Sequence, residues 1–131
     1  MEHSLRTLLH HPEFREGRHW RRTRVATNEF IFREGEPADT LYLIEAGAVR
    51  IIADLELEEG RHIHPGVCDL EAGEVFGELA LFDCQTRSAS VMAVSDCELI
   101  GFDGEHLLSF LDSHPADGYV VLRELITALV K

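Results

Sequence analysis

The sequence predicts a mainly β domain, a sandwich or barrel of short antiparallel strands with helices at both ends. Two observations carry that prediction. From Arg24 to Phe102, β-prone runs alternate with turn signals at the spacing of an all-β fold. Before and after that region the apolar periodicity turns helical. A chain of 131 residues is the size of one domain and can bury roughly two thirds of its unfolded surface without disulfides or metal. The expected division is one domain, 1–131, with a helical segment at 1–23, the strand region at 24–102 and C-terminal helices at 104–131.

The elements follow in order. SLRTLLHH is a short helix candidate. The strand candidates are RVATNEFIF, TLYLIE, AVRIIADLELE, RHIHPGVCDLE, AGEVF, SASVMAV and CELIGF, separated by turns such as REGEPAD, AG, EG and SD. Alternation from Val49 through Leu57 fits a strand with one buried face. Gly47, Gly60 and Gly73 are the expected hairpin turns, and Pro37 stiffens the loop before Thr40. GEHLLSFLDSHP reads as a helix ended by Pro115. In DGYVVLRELITALVK, residues Leu122, Leu125, Ile126 and Leu129 fall at i, i+3, i+4 and i+7 and predict one apolar helical face.

Charge narrows the function classes. Twelve basic against 24 acidic side chains leave a formal net charge of −12, which disfavours a phosphate backbone as partner, so no nucleic acid is expected to bind this chain. Arg6, Arg15, Arg18, Arg21, Arg22 and Arg24 face only Glu2, Glu13 and Glu16, giving +3 before Val25 and −15 after it. This basic segment is expected to dock on the acidic body of its own domain. No apolar run reaches transmembrane length and the N-terminus lacks the apolar stretch of a signal peptide, so a cytoplasmic location is expected. Cys68, Cys84 and Cys97 lack CxxC spacing and read as reduced thiols. Eleven Arg to one Lys is the usage of a GC-rich bacterial genome.

The stretch FGELALFDCQTRSASV, residues 76–91, carries the chemistry. GELALF follows a strand and reads as one helical turn whose free N–H groups, at Gly77, Glu78, Leu79 and Ala80, face an anion. Gly77 allows close backbone approach, and Arg87 supplies a charge-assisted fork to a pair of phosphate oxygens. Ser88 adds a hydroxyl or backbone donor. A carboxylate beside a phosphate would repel it, so Glu78 is assigned to a sugar hydroxyl. These parts describe a pocket for a phosphate joined to a ribose.

The same stretch resembles the phosphate-binding cassette of the cyclic nucleotide-binding domain family, which includes bacterial catabolite-activator-type regulators, protein kinase A regulatory subunits and cyclic nucleotide-gated channels. REGEPADTLYLIEAGAV resembles the segment before that cassette, so the likeness covers roughly residues 20–131. It implies a double-stranded β-helix jelly roll, or β-roll, with the cassette at 76–90. It also implies that Arg87 pairs with the cyclic phosphate, that Glu78 accepts the ribose 2′-hydroxyl, and that Gly77, Leu79, Ala80 and Ser88 complete the site. The ligand so implied is cAMP or cGMP, with cAMP favoured: Ser88 offers a hydroxyl where a threonine assists cGMP in the family, and serine there is also common in bacterial cAMP binders. No cofactor or metal is implied. Thr86 stands where the family often has proline. The sequence holds no helix-turn-helix, kinase-docking motif or channel segment. The expectation is therefore either one module of a longer chain or signalling through a protein effector or a homodimer partner.

Two other readings remain open at this stage. A degenerate relative would keep the fold as a protein-interaction module, although loss should show first at Glu78 or Arg87, and both are present. A metal-dependent cupin-like enzyme would use His62 and His64 on one strand face with Glu71. Six residues separate Glu71 from His64, and His106 and His114 fall in predicted helix, which weighs against it. No nucleophile-base pair stands out, so no catalytic residue is assigned and hydrolysis of the nucleotide is not expected.

Overall fold

The structure is a computed structural model that describes residues 4–56, 62–81 and 86–129. In chain order it forms α1 (Ser4–Leu8), β1 (Trp20–Val25), β2 (Phe30–Phe32), β3 (Thr40–Ala46), β4 (Ala48–Glu56), β5 (His62–Glu71) and β6 (Val75–Phe76). A 3₁₀ turn (Glu78–Leu81), β7 (Ser90–Ala93), β8 (Cys97–Asp103), α2 (Gly104–Ser113) and α3 (Pro115–Leu129) complete it. Two antiparallel four-stranded sheets, ordered β1-β8-β3-β6 and β2-β7-β4-β5, make the sandwich that the turn spacing predicted. Gly60 and Leu57 lie outside the described residues.

Two apolar clusters explain the strand sequences. Phe32, Ile44, Val49, Phe76, Val91, Ala93, Cys97 and Leu99 fill the space between the sheets. On the opposite face of the first sheet, Leu41, Leu43, Ile100 and Phe102 pack against Leu5, Leu8, Leu107, Phe110, Val121 and Leu125 from the helices. β3 and β8 thus bury both faces, which is why LYLI and CELIGF read as nearly continuous apolar runs rather than alternating ones. β4 has one face in the core: Val49 is buried, while Arg50 on the other face forms a two-bond ion pair with Asp69 of β5.

Turn chemistry sets the hairpins. Gly47 joins β3 to β4 at φ 89°, where a Cβ would stand 2.4 Å from the Asp96 carbonyl oxygen, so only glycine fits. Gly73 joins β5 to β6. Pro37, in the loop before β3, bridges to Thr86.

The sheet starts earlier than the sequence suggested. Trp20 to Arg24 pair with Phe102 to Glu98 of β8, although the exposed run of Arg21, Arg22, Thr23 and Arg24 has no strand alternation. The basic segment does dock on the acidic body: Glu45 of β3 pairs with both Arg6 and Arg22, and Arg24 pairs with Glu98. α2 is capped by Asp103, whose carboxylate accepts from the His106 N–H at 2.9 Å. Pro115 follows the end of α2 and opens α3, a position where its missing N–H costs nothing.

The buried face of α3 shares Leu125 and Leu122 with the one the spacing predicted but is rotated away from Ile126. Val121 and Leu125 are buried with Gly118, Leu122 is partly covered, and Ile126 is 54% exposed. A Cβ on Gly118 would stand 2.9 Å from the Leu111 carbonyl oxygen, so α3 lies close against α2 at that residue and turns Val121 and Leu125 inward. The Leu129 side chain lies outside the described residues.

Candidate functional site

The predicted residues gather where β6 runs into the 3₁₀ turn. Gly77 adopts φ 77°, a left-handed conformation that side chains resist. Its environment is equally restrictive, since a Cβ would stand 2.9 Å from Arg87 Nη1 and 3.2 Å from the Thr40 carbonyl oxygen. Gly77 and Arg87, ten positions apart in sequence, are therefore neighbours in space. Glu78, Leu79 and Ala80 follow in the 3₁₀ turn, a tighter turn than an α-helix and one that leaves its first N–H groups without an internal partner.

Arg87 is 6% exposed, and among the described residues no other charged or polar side chain is as buried. Its main chain is pinned from both sides: the Arg87 N–H donates to Glu36 O at 2.8 Å, and Arg87 O accepts from the Gly35 N–H at 2.9 Å. The Arg33–Glu36 turn that makes these bonds is itself closed by the Glu36 N–H donating to Arg33 O and by the Glu36 carboxylate accepting from the Arg33 N–H. The guanidinium lies over the Phe32 ring, its Cζ 3.9 Å from the centroid, and Nη2 donates to the Thr40 carbonyl oxygen at 2.8 Å. Tyr42 and Phe76 stack on one another at 5.2 Å and stand 6.1 and 6.0 Å from Phe32, giving the cation an aromatic floor.

Glu78 is partly buried, and that desolvation holds its carboxyl above the ordinary range. Burial likewise raises the Tyr42 phenol against the opposing pull of the Arg87 charge. Ser88 is exposed on the turn after Arg87, while the Ser90 hydroxyl accepts from the Glu34 N–H. The arrangement presents a fixed cation, main-chain donors and a carboxylate that tolerates neutralisation. That combination suits an anionic ligand with hydroxyl groups. Phe32, Thr40 and Tyr42 were missed by sequence reasoning. The only available signal was the aromatic pair in FIF, placed just before the REGEPAD turn.

The other sequence candidates do not converge. Among the described residues no group of three or more His, Cys, Asp or Glu side chains could hold a metal ion. The His62 and His64 side chains lie outside the described residues, and Glu71 is exposed at the end of β5. His106 pairs with Asp103, and His114 contacts Glu13. Cys97 is buried, with desolvation raising its thiol, while Cys68 is exposed; Cys84 lies outside the described residues. No helix among the described residues is long and apolar enough to cross a membrane.

Comparison with known proteins matches the chain to one family and its fold. The family described as "Cyclic nucleotide-binding domain" matches residues 22–114. A putative potassium channel protein of Rhodopseudomonas palustris is 37% identical over 92 residues, which cover 70% of this chain and 21% of that protein. The CRP-like cAMP-activated global transcriptional regulator of Mycobacterium tuberculosis is 30% identical over 103 residues, 76% of this chain and 42% of the regulator. Among solved structures, the c-di-GMP responsive global regulator CLP of Xanthomonas campestris superimposes with a TM-score of 0.66 at 31% identity, covering 86% of this chain and 55% of that one. The chain thus spans less than half the length of these two curated relatives.

Proposed function

The chain belongs to the cyclic nucleotide-binding domain family, and from that premise we propose that it is a sensor for a 3′,5′-cyclic nucleotide monophosphate, cAMP in preference to cGMP. The observation that carries this reading is the meeting of Gly77 with the buried Arg87 guanidinium beside the 3₁₀ turn. Arg87 pairs with the cyclic phosphate through its fork, and the main-chain N–H groups of Gly77, Leu79 and Ala80, with Ser88, supply further donors. Glu78 accepts the ribose 2′-hydroxyl as a carboxylate. The preference for cAMP is supported by the mycobacterial relative, which is cAMP-activated by name.

The domain regulates rather than catalyses in this reading. Occupancy is passed to α2 and α3 and from there to a protein effector, either a further part of a longer chain or a second copy in a homodimer. Two of the longer relatives, a channel and a transcriptional regulator by name, fit a sensor that serves different outputs.

Calorimetric titration with cAMP, cGMP, cyclic di-GMP and linear AMP tests the proposal. Saturable binding of cAMP that exceeds cGMP, with linear AMP weaker than both, is the expected result. Binding of cyclic di-GMP alone would replace the ligand assignment, and no binding of any nucleotide would overturn the sensor reading.

A further inference from the structure

Arg87 is held by a segment the family cassette does not include. Phe32 ends β2, and the pairing register with β7 shifts between Phe30 and Phe32. A shift of this kind re-aims a side chain, and here Phe32 lies beside the stacked pair of Tyr42 and Phe76 with its ring beneath the guanidinium. One residue later begins the turn that clamps the Arg87 main chain at Gly35 and Glu36, and at its far end Thr40 offers the carbonyl that takes Nη2. The stretch from Phe32 to Thr40 therefore fixes Arg87 at its backbone, at one terminal nitrogen and across its planar face.

We propose that Phe32 is a positioning residue, whose ring sets the plane of the Arg87 guanidinium before any ligand arrives. The physical basis is twofold. A cation over an aromatic face is attracted by the ring quadrupole, most strongly where water is excluded. A planar fork whose orientation is already fixed loses less conformational freedom on forming its hydrogen bonds than one that must be ordered by the ligand. An aliphatic side chain of similar volume would fill the space under Arg87 but leave its plane free to rotate. The proposal rests on the reading of Arg87 as the phosphate-pairing group, so the experiment separates the two.

The full chain is made with Phe32→Leu, Phe32→Met and Phe32→Tyr, the two aliphatic variants guarding against a folding failure in either one. Two readings are taken: cAMP affinity by calorimetry, and the Arg87 Nε–Hε signal by 15N-resolved NMR, assigned from its loss in Arg87→Lys. A folded aliphatic variant should bind cAMP about 5- to 30-fold more weakly, the range a desolvated cation–π contact spans, and Phe32→Tyr should stay within about 2-fold of wild type. The Arg87 signal should be sharp and slowly exchanging without ligand in wild type and Phe32→Tyr, and broadened in the aliphatic variants. Weaker binding with an unchanged Arg87 signal would mean that Phe32 acts by packing alone and would overturn the proposal. A broadened signal with unchanged affinity would overturn it equally. If wild type binds no cAMP but the signal still depends on the aromatic ring, the sensor reading fails while the placement of the guanidinium by Phe32 stands.

Discussion

Ser4 and Glu124 join the first helix to the last: the Glu124 carboxylate accepts both the Ser4 N–H at 2.8 Å and the Ser4 hydroxyl at 2.7 Å, across 120 positions of sequence. The carboxylate serves as a cap for α1, whose five residues are too few to be stable alone. Glu124→Ala should lower stability by about 1–2 kcal/mol, since bonds to a charged acceptor are lost in a partly exposed setting. Glu124→Gln, which keeps one carbonyl oxygen as acceptor, should lose less. Chemical denaturation of the three proteins at neutral pH gives the comparison, and equal stability of all three would show that α1 docks by its leucines alone.

Arg87→Ala should cost about 2–5 kcal/mol in cAMP affinity, the range for removing one partner of a buried charged pair. Arg87→Lys should recover little, because a single ammonium cannot reproduce the fork. Titration calorimetry checks both. Near-native binding by either variant contradicts the assignment of Arg87 to the phosphate.

Glu78 predicts a pH dependence whose sign follows from its surroundings. Desolvation raises its carboxyl in the folded protein, so the folded state holds that proton more tightly than the unfolded chain does. The carboxylate therefore weighs against folding, and its contribution falls from neutral below the ordinary glutamate range to unfavourable as pH rises through the folded value. Glu78→Gln should accordingly be more stable than wild type near neutral pH, with the difference shrinking in acid. Ligand binding has the opposite slope: a 2′-hydroxyl donates to the carboxylate, so wild-type affinity should weaken as pH falls through that titration while the Gln variant stays flat. Comparing cAMP with 2′-deoxy-cAMP in both proteins isolates the sugar contact. Equal discrimination by both would move Glu78 out of the sugar site.

The two candidate faces of α3 are separable by mutation. Val121, 1% exposed within the helical cluster and absent from the stripe read from the spacing, should lose about 1–3 kcal/mol of stability as Val121→Ser. Ile126→Ser should stay within about 0.5 kcal/mol of wild type in the isolated domain. Thermal or denaturant melts decide between them, and a reversed order would restore the face read from the spacing alone.

How much of this was legible beforehand depended on whether a residue's type or only its neighbours carried the information. Gly47 and Gly73 could be read as turns because few residues accept a left-handed backbone. LYLI and CELIGF could be read as strands, but their burial on both faces could not. Gly77, Glu78 and Arg87 stood out because a glycine, a carboxylate and a guanidinium each announce a chemistry. Phe32 and Thr40 did not, since one contributes the face of a ring and the other a main-chain carbonyl, and any β-prone sequence offers both. The start of β1 was hidden because its arginines are all solvated and its strand identity comes from pairing with β8. On α3, Val120, Val121, Leu122, Leu125 and Ile126 cover so wide an arc that several stripes satisfy the helical period. The close contact of Gly118 with Leu111 selects among them, and no local pattern records it.

The double burial of β3 limits what kind of motion this domain can make. Leu41 and Leu43 belong to the helical cluster, whereas Tyr42 and Ile44 face the space between the sheets. Sliding the strand by a single residue would exchange the two sets, putting a phenol among the helix leucines and emptying the floor beneath Arg87. No intermediate displacement satisfies both sides. One register of β3 therefore satisfies both clusters at once, and the strand that carries the Thr40 carbonyl to Arg87 is fixed in register from two sides.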